Sequence, residues 1–403
     1  MNESYPNPET NAIRTQVTPS GHREHATSIY MTSSFTFNDA EQARAMFSGE
    51  EPGNIYSRYG NPNVDEFVAK VCKLEGAEDG IAVASGMSAI FTALAGLLNS
   101  GDHLIAARSL FGTTTQVISK ILPRWGISHS WVDVATPESW ADAIQPNTRL
   151  CLVETPTNPT LDLIDLAWLG ELCRERGIIL VVDNVFATPI LQRPLEFGAN
   201  LVMHSATKYF DGQGRGIGGV LVGDAIYMND LRTFARQSGP CMSPFNAWMF
   251  SQGLQTLPLR IERHCENALG LANYLASHPL VSQVRYPFLA SHPQHALARR
   301  QMKAGGGIVT FEVAGGIEQG RRFLDNLQLC SLTANLGDAR TTATHPASTT
   351  HYATPDEQRR AVGITPGLIR ISVGLEHIDD IIRDIERALA LSSEARLAEP
   401  AQG

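Results

Sequence analysis

The chain has 403 residues, 43% of them hydrophobic and 18% charged, and a net charge of -9, which gives length and apolar content for a large core split over two domains. That acidic balance, with no block of like charge, excludes an electrostatic footprint for nucleic acid or an anionic membrane and leaves small soluble ligands as the expected partners. Six scattered cysteines with no C-x-x-C pair exclude a zinc ribbon or a disulfide framework and suit a reducing compartment.

The first thirty residues are polar, with Pro6 and Pro8, and lack the apolar core of a secretory signal, so a cytoplasmic protein is expected. Gly, Pro, Asn and Ser scattered over residues 1–60 predict an extended N-terminal arm that lies on another surface. From Asn61 amphipathic helical runs alternate with short apolar strands, which predicts an α/β sheet with helices on both faces over residues 61–257. Strands are expected at 81–84, 103–107, 128–132, 150–154, 178–183, 201–204 and 219–222. Continuous runs such as Ile178-Ile179-Leu180-Val181-Val182 suit strands buried on both faces of a mostly parallel seven-stranded sheet. The longest apolar stretch, 89–98, is too short to span a bilayer. A helical stretch over 245–277 leads into a smaller C-terminal α+β domain, residues 258–403. It has strands at 307–313 and 368–373 and helices at 317–327 and 378–391. A loop over 338–354, rich in Thr, His and Pro, is long enough to be functional.

The chemistry-bearing residues lie at strand ends. Val182-Asp183-Asn184 closes one apolar strand, and Met203-His204-Ser205-Ala206-Thr207-Lys208 follows the next. An acid and a lysine thus fall at the carboxyl ends of neighbouring strands, where open α/β sheets bind ligands. Pyridoxal phosphate needs that pair: a lysine amine for a Schiff base, and a carboxylate that keeps the pyridine nitrogen protonated as an electron sink. Ser85-Gly86-Met87-Ser88-Ala89, between a strand and a helix, offers backbone N–H groups and a helix dipole to the phosphate. Ser205 and Thr207 can add hydroxyl donors.

Each piece alone has a blander account: a strand-end Asp as a turn residue, a Ser-Gly turn as plain capping, a single lysine as a solvated charge. Their combination in one sheet-edge order favours the cofactor. Gly214-Arg215-Gly216-Ile217-Gly218-Gly219 matches the dinucleotide fingerprint in form, but it opens onto a strand rather than a helix and is rejected. His292 with His295, and His345 with His351, lack a third ligand at metal spacing, so no metal is expected.

The segments Tyr56-Ser57-Arg58-Tyr59-Gly60-Asn61-Pro62, Ser85-Gly86-Met87, Glu154-Thr155-Pro156-Thr157-Asn158-Pro159, Asp183-Asn184, Ser205-Ala206-Thr207-Lys208 and Arg370-Ile371-Ser372-Val373-Gly374-Leu375-Glu376 are similar to the trans-sulfuration (Cys/Met metabolism) family of pyridoxal-phosphate enzymes. The match runs in order from about residue 15 to residue 391. The resemblance implies the type I PLP-dependent, aspartate aminotransferase-like fold and a homotetramer of tight dimers. It implies that Tyr56 and Arg58 reach the phosphate of the neighbouring subunit, and that Gly86 and Met87 donate backbone N–H groups to the phosphate with Ser205 and Thr207 assisting. Asn158 would hydrogen-bond the cofactor's phenolic oxygen, and Arg370 would clamp the substrate α-carboxylate through two parallel bonds, with Ser331 and Asn158 nearby. Many members have a tyrosine before Gly112. Phe111 keeps the ring stacking without the hydroxyl, which leaves Lys208 as the main proton shuttle.

Fold and cofactor do not fix the reaction. Ser331-Leu332-Thr333-Ala334-Asn335-Leu336-Gly337-Asp338-Ala339-Arg340 and the following His345 to His351 segment resemble the homoserine-ester sulfhydrylases of the family more than its lyases. Gly212-Gln213-Gly214-Arg215 resembles the branch that uses O-succinylhomoserine. The implied reaction is γ-replacement by sulfide, giving homocysteine and succinate. An O-acetylhomoserine sulfhydrylase, a cystathionine γ-synthase, a γ-lyase and a non-catalytic cofactor-binding regulator remain as alternatives.

Overall fold

Two sheets organise the chain in its computed structural model, which describes residues 5–398 apart from 135, 137 and 353. The larger contains β1 (Asp79–Val83), β2 (His103–Ala107), β3 (Ser128–Val132), β4 (Thr148–Glu154), β5 (Ile179–Asp183), β6 (Leu201–Ser205) and β7 (Gly219–Gly223), in the order β1-β7-β6-β5-β4-β2-β3. Strands β3, β2, β4, β5 and β6 pair in parallel, and β7 runs antiparallel to both β6 and β1. β2 is buried along its whole length and β5 everywhere but at Asp183, as helix-covered parallel strands should be. Because β7 runs against β1 and β6 alike, the carboxyl ends of β1, β4, β5 and β6 reach one edge of the sheet.

The first sixty residues are less extended than expected. They hold α1 (Pro8–Arg14) and α2 (Ala40–Ser48), and Ala12 of α1 is fully buried. They lie against α3 (Pro62–Glu75), which starts with a side-chain cap: Asn61 accepts from the Asn63 N–H, and Pro62 fills the first helical position, where no donor is needed. On its buried face Lys70 Nζ donates to Glu66 Oε1 at 2.9 Å, while Glu66 Oε2 accepts from the Val17 N–H at 3.0 Å and the Thr27 hydroxyl at 2.7 Å. One buried carboxylate therefore fastens the N-terminal segment to α3. Next comes α4 (Gly86–Leu97), capped by the Ser85 side chain on the Ser88 N–H.

The helical stretch expected over 245–277 is two helices, Pro244–Gln255 and Leu257–Ala276. They part at Thr256 because Pro258 has no N–H for the carbonyl four residues back and its ring crowds that carbonyl. The second sheet, β10-β11-β12-β9-β8, combines β8 (Val281–Arg285), β9 (Ile308–Val313), β10 (Ser331–Leu332), β11 (Thr342–Thr344) and β12 (Leu368–Ser372). β8, β10 and β11 go beyond the sequence expectation. β8 is only partly covered, and β10 and β11 are too short for any alternation to show. β11 lies inside the 338–354 loop and sets Thr344 opposite Arg370 of the central β12. Among the described residues no helix is long and apolar enough to cross a membrane.

Candidate active site

Lys208 sits in the first turn after β6. The connection to β7 is closed by the Gly212 N–H on the Lys208 carbonyl at 2.8 Å and the Ala206 N–H on the Gly218 carbonyl at 2.9 Å. Gly212 has φ +67°, and a Cβ there would meet the Arg260 guanidinium at 2.2 Å. Only glycine suits that turn, since Arg260 is engaged in donating to the Tyr209 carbonyl at 2.7 Å. Lys208 Nζ donates to Asn335 Oδ1 at 2.7 Å across the boundary between the two sheets. Burial, and then the positive charge of Arg370, lower its pKa to about 8.

Asp183 ends β5 one strand away, paired in register with Met203 of β6 and Glu154 of β4. Its Oδ1 accepts from the Val185 N–H at 3.1 Å. Burial raises its pKa to about 6, against the Val185 bond and His204, which lower it. Behind it Asn184 is fully buried and donates to Glu75 Oε1 and to the Gln192 carbonyl, both at 2.9 Å. His204 Nε2 meets the same Glu75 oxygen at 2.6 Å. The strand end that presents Asp183 is therefore held from behind by hydrogen bonds to α3 and β6 through Glu75 Oε1, while Glu75 Oε2 is buried without a partner.

The Ser85–Ser88 turn faces these residues because β1 reaches the same edge. A Cβ on Gly86 would come within 2.7 Å of the Ser205 Cβ, and one on Gly219 within 2.1 Å of the Ser85 carbonyl. The close approach leaves the α4 N-terminus beside Ser205. Thr207 accepts from the Gly218 N–H at 3.2 Å. Met87 takes a long contact from the Thr114 hydroxyl at 3.7 Å. Phe111, 41% exposed, heads the following short helix, and its N–H donates to Glu154 Oε2 at 3.0 Å.

Arg370 is buried in the middle of the second sheet. Nη1 donates to Asn158 Oδ1 at 3.0 Å, and Nη2 reaches the Ala334 and Asn335 carbonyls at 3.1 and 3.3 Å. No carboxylate is among these partners, and Nε has none. Burial draws the Arg370 pKa down to about 10. The Glu154 charge acts on this cation from nearby, but no carboxylate hydrogen-bonds it, an arrangement a substrate carboxylate would complete.

Two groups of expected site residues stand apart from this cluster. Ser331 is exposed on the edge strand β10, with β11 between it and β12, and its N–H donates to the Thr341 carbonyl at 2.9 Å. Tyr56 and Arg58 line an open groove with Met31, Cys241 and Pro244. The Arg58 guanidinium packs over the Tyr59 ring at 4.9 Å and the Tyr56 ring at 5.6 Å and donates to the Arg236 carbonyl. The sequence reading assigned nothing to Asn335 or Glu154, which the structure brings against Lys208 and Phe111.

A family model for Cys/Met metabolism PLP-dependent enzymes matches residues 9–390. The chain belongs to that family. It is 47% identical over 373 residues to an O-succinylhomoserine sulfhydrylase of Pseudomonas aeruginosa, covering 93% of this chain and 92% of the relative. It is 43% identical over 367 residues to an L-methionine gamma-lyase of Porphyromonas gingivalis, covering 90% and 92%. Among solved structures, a Campylobacter jejuni chain assigned as an O-acetylhomoserine (thiol)-lyase superposes with a TM-score of 0.91 at 34% identity, covering 95% of this chain and 100% of that one, and carries a pyridoxyl-lysine phosphate.

Members of the Cys/Met metabolism family depend on pyridoxal phosphate, which is this chain's cofactor. The residues present fit it. A half-buried amine of lowered pKa, a strand-end carboxylate one strand away, and a helix N-terminus kept open by two glycines stand at one sheet edge. They answer to the aldehyde, ring nitrogen and phosphate.

Proposed function

We propose that the chain replaces the succinyloxy group of O-succinyl-L-homoserine with sulfide: the Cγ–O bond breaks, a Cγ–S bond forms, and L-homocysteine and succinate leave. The observation that carries this reading is the 47% identity, over nearly the whole chain, to the Pseudomonas aeruginosa O-succinylhomoserine sulfhydrylase. Bound pyridoxal phosphate supplies an electron sink for the charge left when the substrate α-proton departs. Lys208 would hold the cofactor covalently, and its Nζ would take the proton from Cα and return one at the end. Asp183 keeps a proton on the ring nitrogen. Gly86, Met87, Ser205 and Thr207 hold the phosphate, Phe111 covers one ring face, and Asn158 meets the phenolic oxygen. Arg370, with Asn158, orients the substrate carboxylate, and Ser331 lies at the outer rim.

Tyr56, exposed, and Arg58, half-buried, line one groove without bonding Lys208 or the Ser85 turn, and they suit contact with the phosphate of a neighbouring subunit. The N-terminal arm, residues 1–60, then belongs to an assembly of tight dimers, taken here as a cytoplasmic homotetramer. Residues 61–257 form the cofactor-binding domain and 258–403 the smaller one.

Purified protein given O-succinylhomoserine with sulfide, with cysteine or with no thiol should form homocysteine preferentially with sulfide. Cystathionine as the main product would make it a γ-synthase. 2-Oxobutanoate irrespective of thiol would favour a γ-lyase, the second reading, which the Porphyromonas gingivalis L-methionine gamma-lyase keeps in view.

Arg370→Ala should raise KM for the ester about a hundredfold, because a buried ion pair is being deprived of one partner. It should also raise the pKa of Lys208, whose downward shift includes the Arg370 charge. Cofactor uptake needs the neutral amine, so its rate in wild-type apoprotein should climb with pH, reach half its maximum near pH 8 and level off above that. In Arg370→Ala the plateau should move to higher pH. Stopped-flow absorbance across pH 6–10 reads both, and coincident profiles would remove Arg370 from the site.

A further inference from the structure

Glu154 is a buried carboxyl group that the proposed chemistry does not use. It is the last residue of β4, 5% exposed, and it stands between the two flanks of the site. On one side Oε2 accepts the Phe111 N–H at 3.0 Å. On the other, the backbone N–H of Asn158, four residues along the same loop, acts electrostatically on the carboxyl group and opposes the rise of its pKa, and the Asn158 side-chain oxygen accepts from Arg370 Nη1 at 3.0 Å. Phe111, Glu154, Asn158 and Arg370 thus follow one another from the first sheet to the second, with hydrogen bonds at both ends and the short Glu154 to Asn158 segment between them.

We propose that Glu154 is a positioning residue, which fixes Phe111 over the cofactor and, through Asn158, sets Arg370 for the substrate carboxylate. The proposal rests on the roles given above to Phe111 and Asn158. Burial of Glu154 costs free energy unless its acceptors are used, and here Oε2 is used by the Phe111 N–H from the loop after β2. Removing the carboxyl leaves the Phe111 N–H without its acceptor and frees the loop to move. Burial and the neighbouring Asp183 charge push the Glu154 pKa well up, so a proton on one oxygen leaves the other as acceptor. A neutral glutamine is then a fair replacement.

The test compares wild-type, Glu154→Gln and Glu154→Ala holoenzymes. It uses the induced circular dichroism of the bound cofactor and the affinity for L-norvaline, an α-amino acid with no γ-leaving group. Glu154→Ala should keep its cofactor but lose more than half of the induced band and bind norvaline about tenfold more weakly, about the worth of one hydrogen bond. Glu154→Gln should stay within about twofold of wild type on both, since it keeps an acceptor oxygen. If the alanine form does not fold, Glu154→Asp replaces it, because shortening by one methylene withdraws the acceptor and should weaken norvaline binding in the same direction. A wild-type band and norvaline affinity in the alanine or aspartate form, or a glutamine form as impaired as either, overturns the proposal. Neither readout involves an ester or sulfide, so failure of the sulfhydrylase assay alone would count only against the proposed reaction.

Discussion

Lys208→Ala should lose turnover entirely, to below about 10⁻⁴ of wild type, because it removes both the covalent anchor and the base that moves the Cα proton. The chain offers no substitute. Its other four lysines are Lys70, Lys73, Lys120 and Lys303. Lys70 is buried in the ion pair with Glu66, Lys73 lies on the same helix, Lys120 lies in the helical segment Val117–Ile121, and the Lys303 backbone N–H is bonded to the Leu191 carbonyl. The variant should still fold, since Lys208 makes one side-chain hydrogen bond, to Asn335, and its removal relieves the cost of burying an amine. Borohydride reduction followed by peptide mass mapping separates the causes. Wild type should carry the reduced cofactor on the peptide containing Lys208, and the variant should carry none while binding cofactor reversibly. Homocysteine formation within tenfold of wild type would exclude Lys208 as anchor and base together.

The positions of Lys208 and Asp183 were legible because their signals are local. Each follows a continuous apolar strand, and parallel strands deliver their ends to one edge whatever their order. Glu154 and Asn335 were not legible for the opposite reason. Glu154 stands inside the quoted Glu154 to Pro159 segment, but its bond to Phe111, 43 residues earlier, exists only because β4 lies beside β2, and no residue pattern states that order. Asn335 is 127 residues from Lys208 and depends on how the two sheets meet. The short β10 and β11, which bring its loop towards Arg370, fall below any readable period. The expectation of an extended arm missed α1 because a single seven-residue helix holding one buried alanine, Ala12, carries little amphipathic signal. Arg58 and Tyr56 were readable only through the resemblance, since their local setting is an exposed groove.

Asp183→Ala should retain cofactor yet lower kcat by about a thousandfold, since an unpaired ring nitrogen loses its proton and with it the capacity to hold the negative charge developing at Cα. The effect should fall on kcat rather than on KM, because Arg370 and Asn158, which hold the substrate, are untouched. Proton linkage provides an independent check in the apoprotein. Burial holds Asp183 near 6, above the ordinary aspartate value, so the folded chain binds more protons at this site than the unfolded chain between about pH 4 and 6. The stability from this group is therefore present below about pH 4 and is lost as pH rises through 6. Asp183→Asn keeps an acceptor for the Val185 N–H and removes the titration. Its apoprotein Tm should exceed that of wild type at pH 7 and converge with it at pH 4, while its holoenzyme should be the slower catalyst at every pH. Near-normal turnover in either variant would take Asp183 away from the ring nitrogen. A Tm difference independent of pH would show that its carboxylate is not the group under strain, and that the neighbouring Glu154, on β4 in the same register, carries the charge cost of this sheet edge instead.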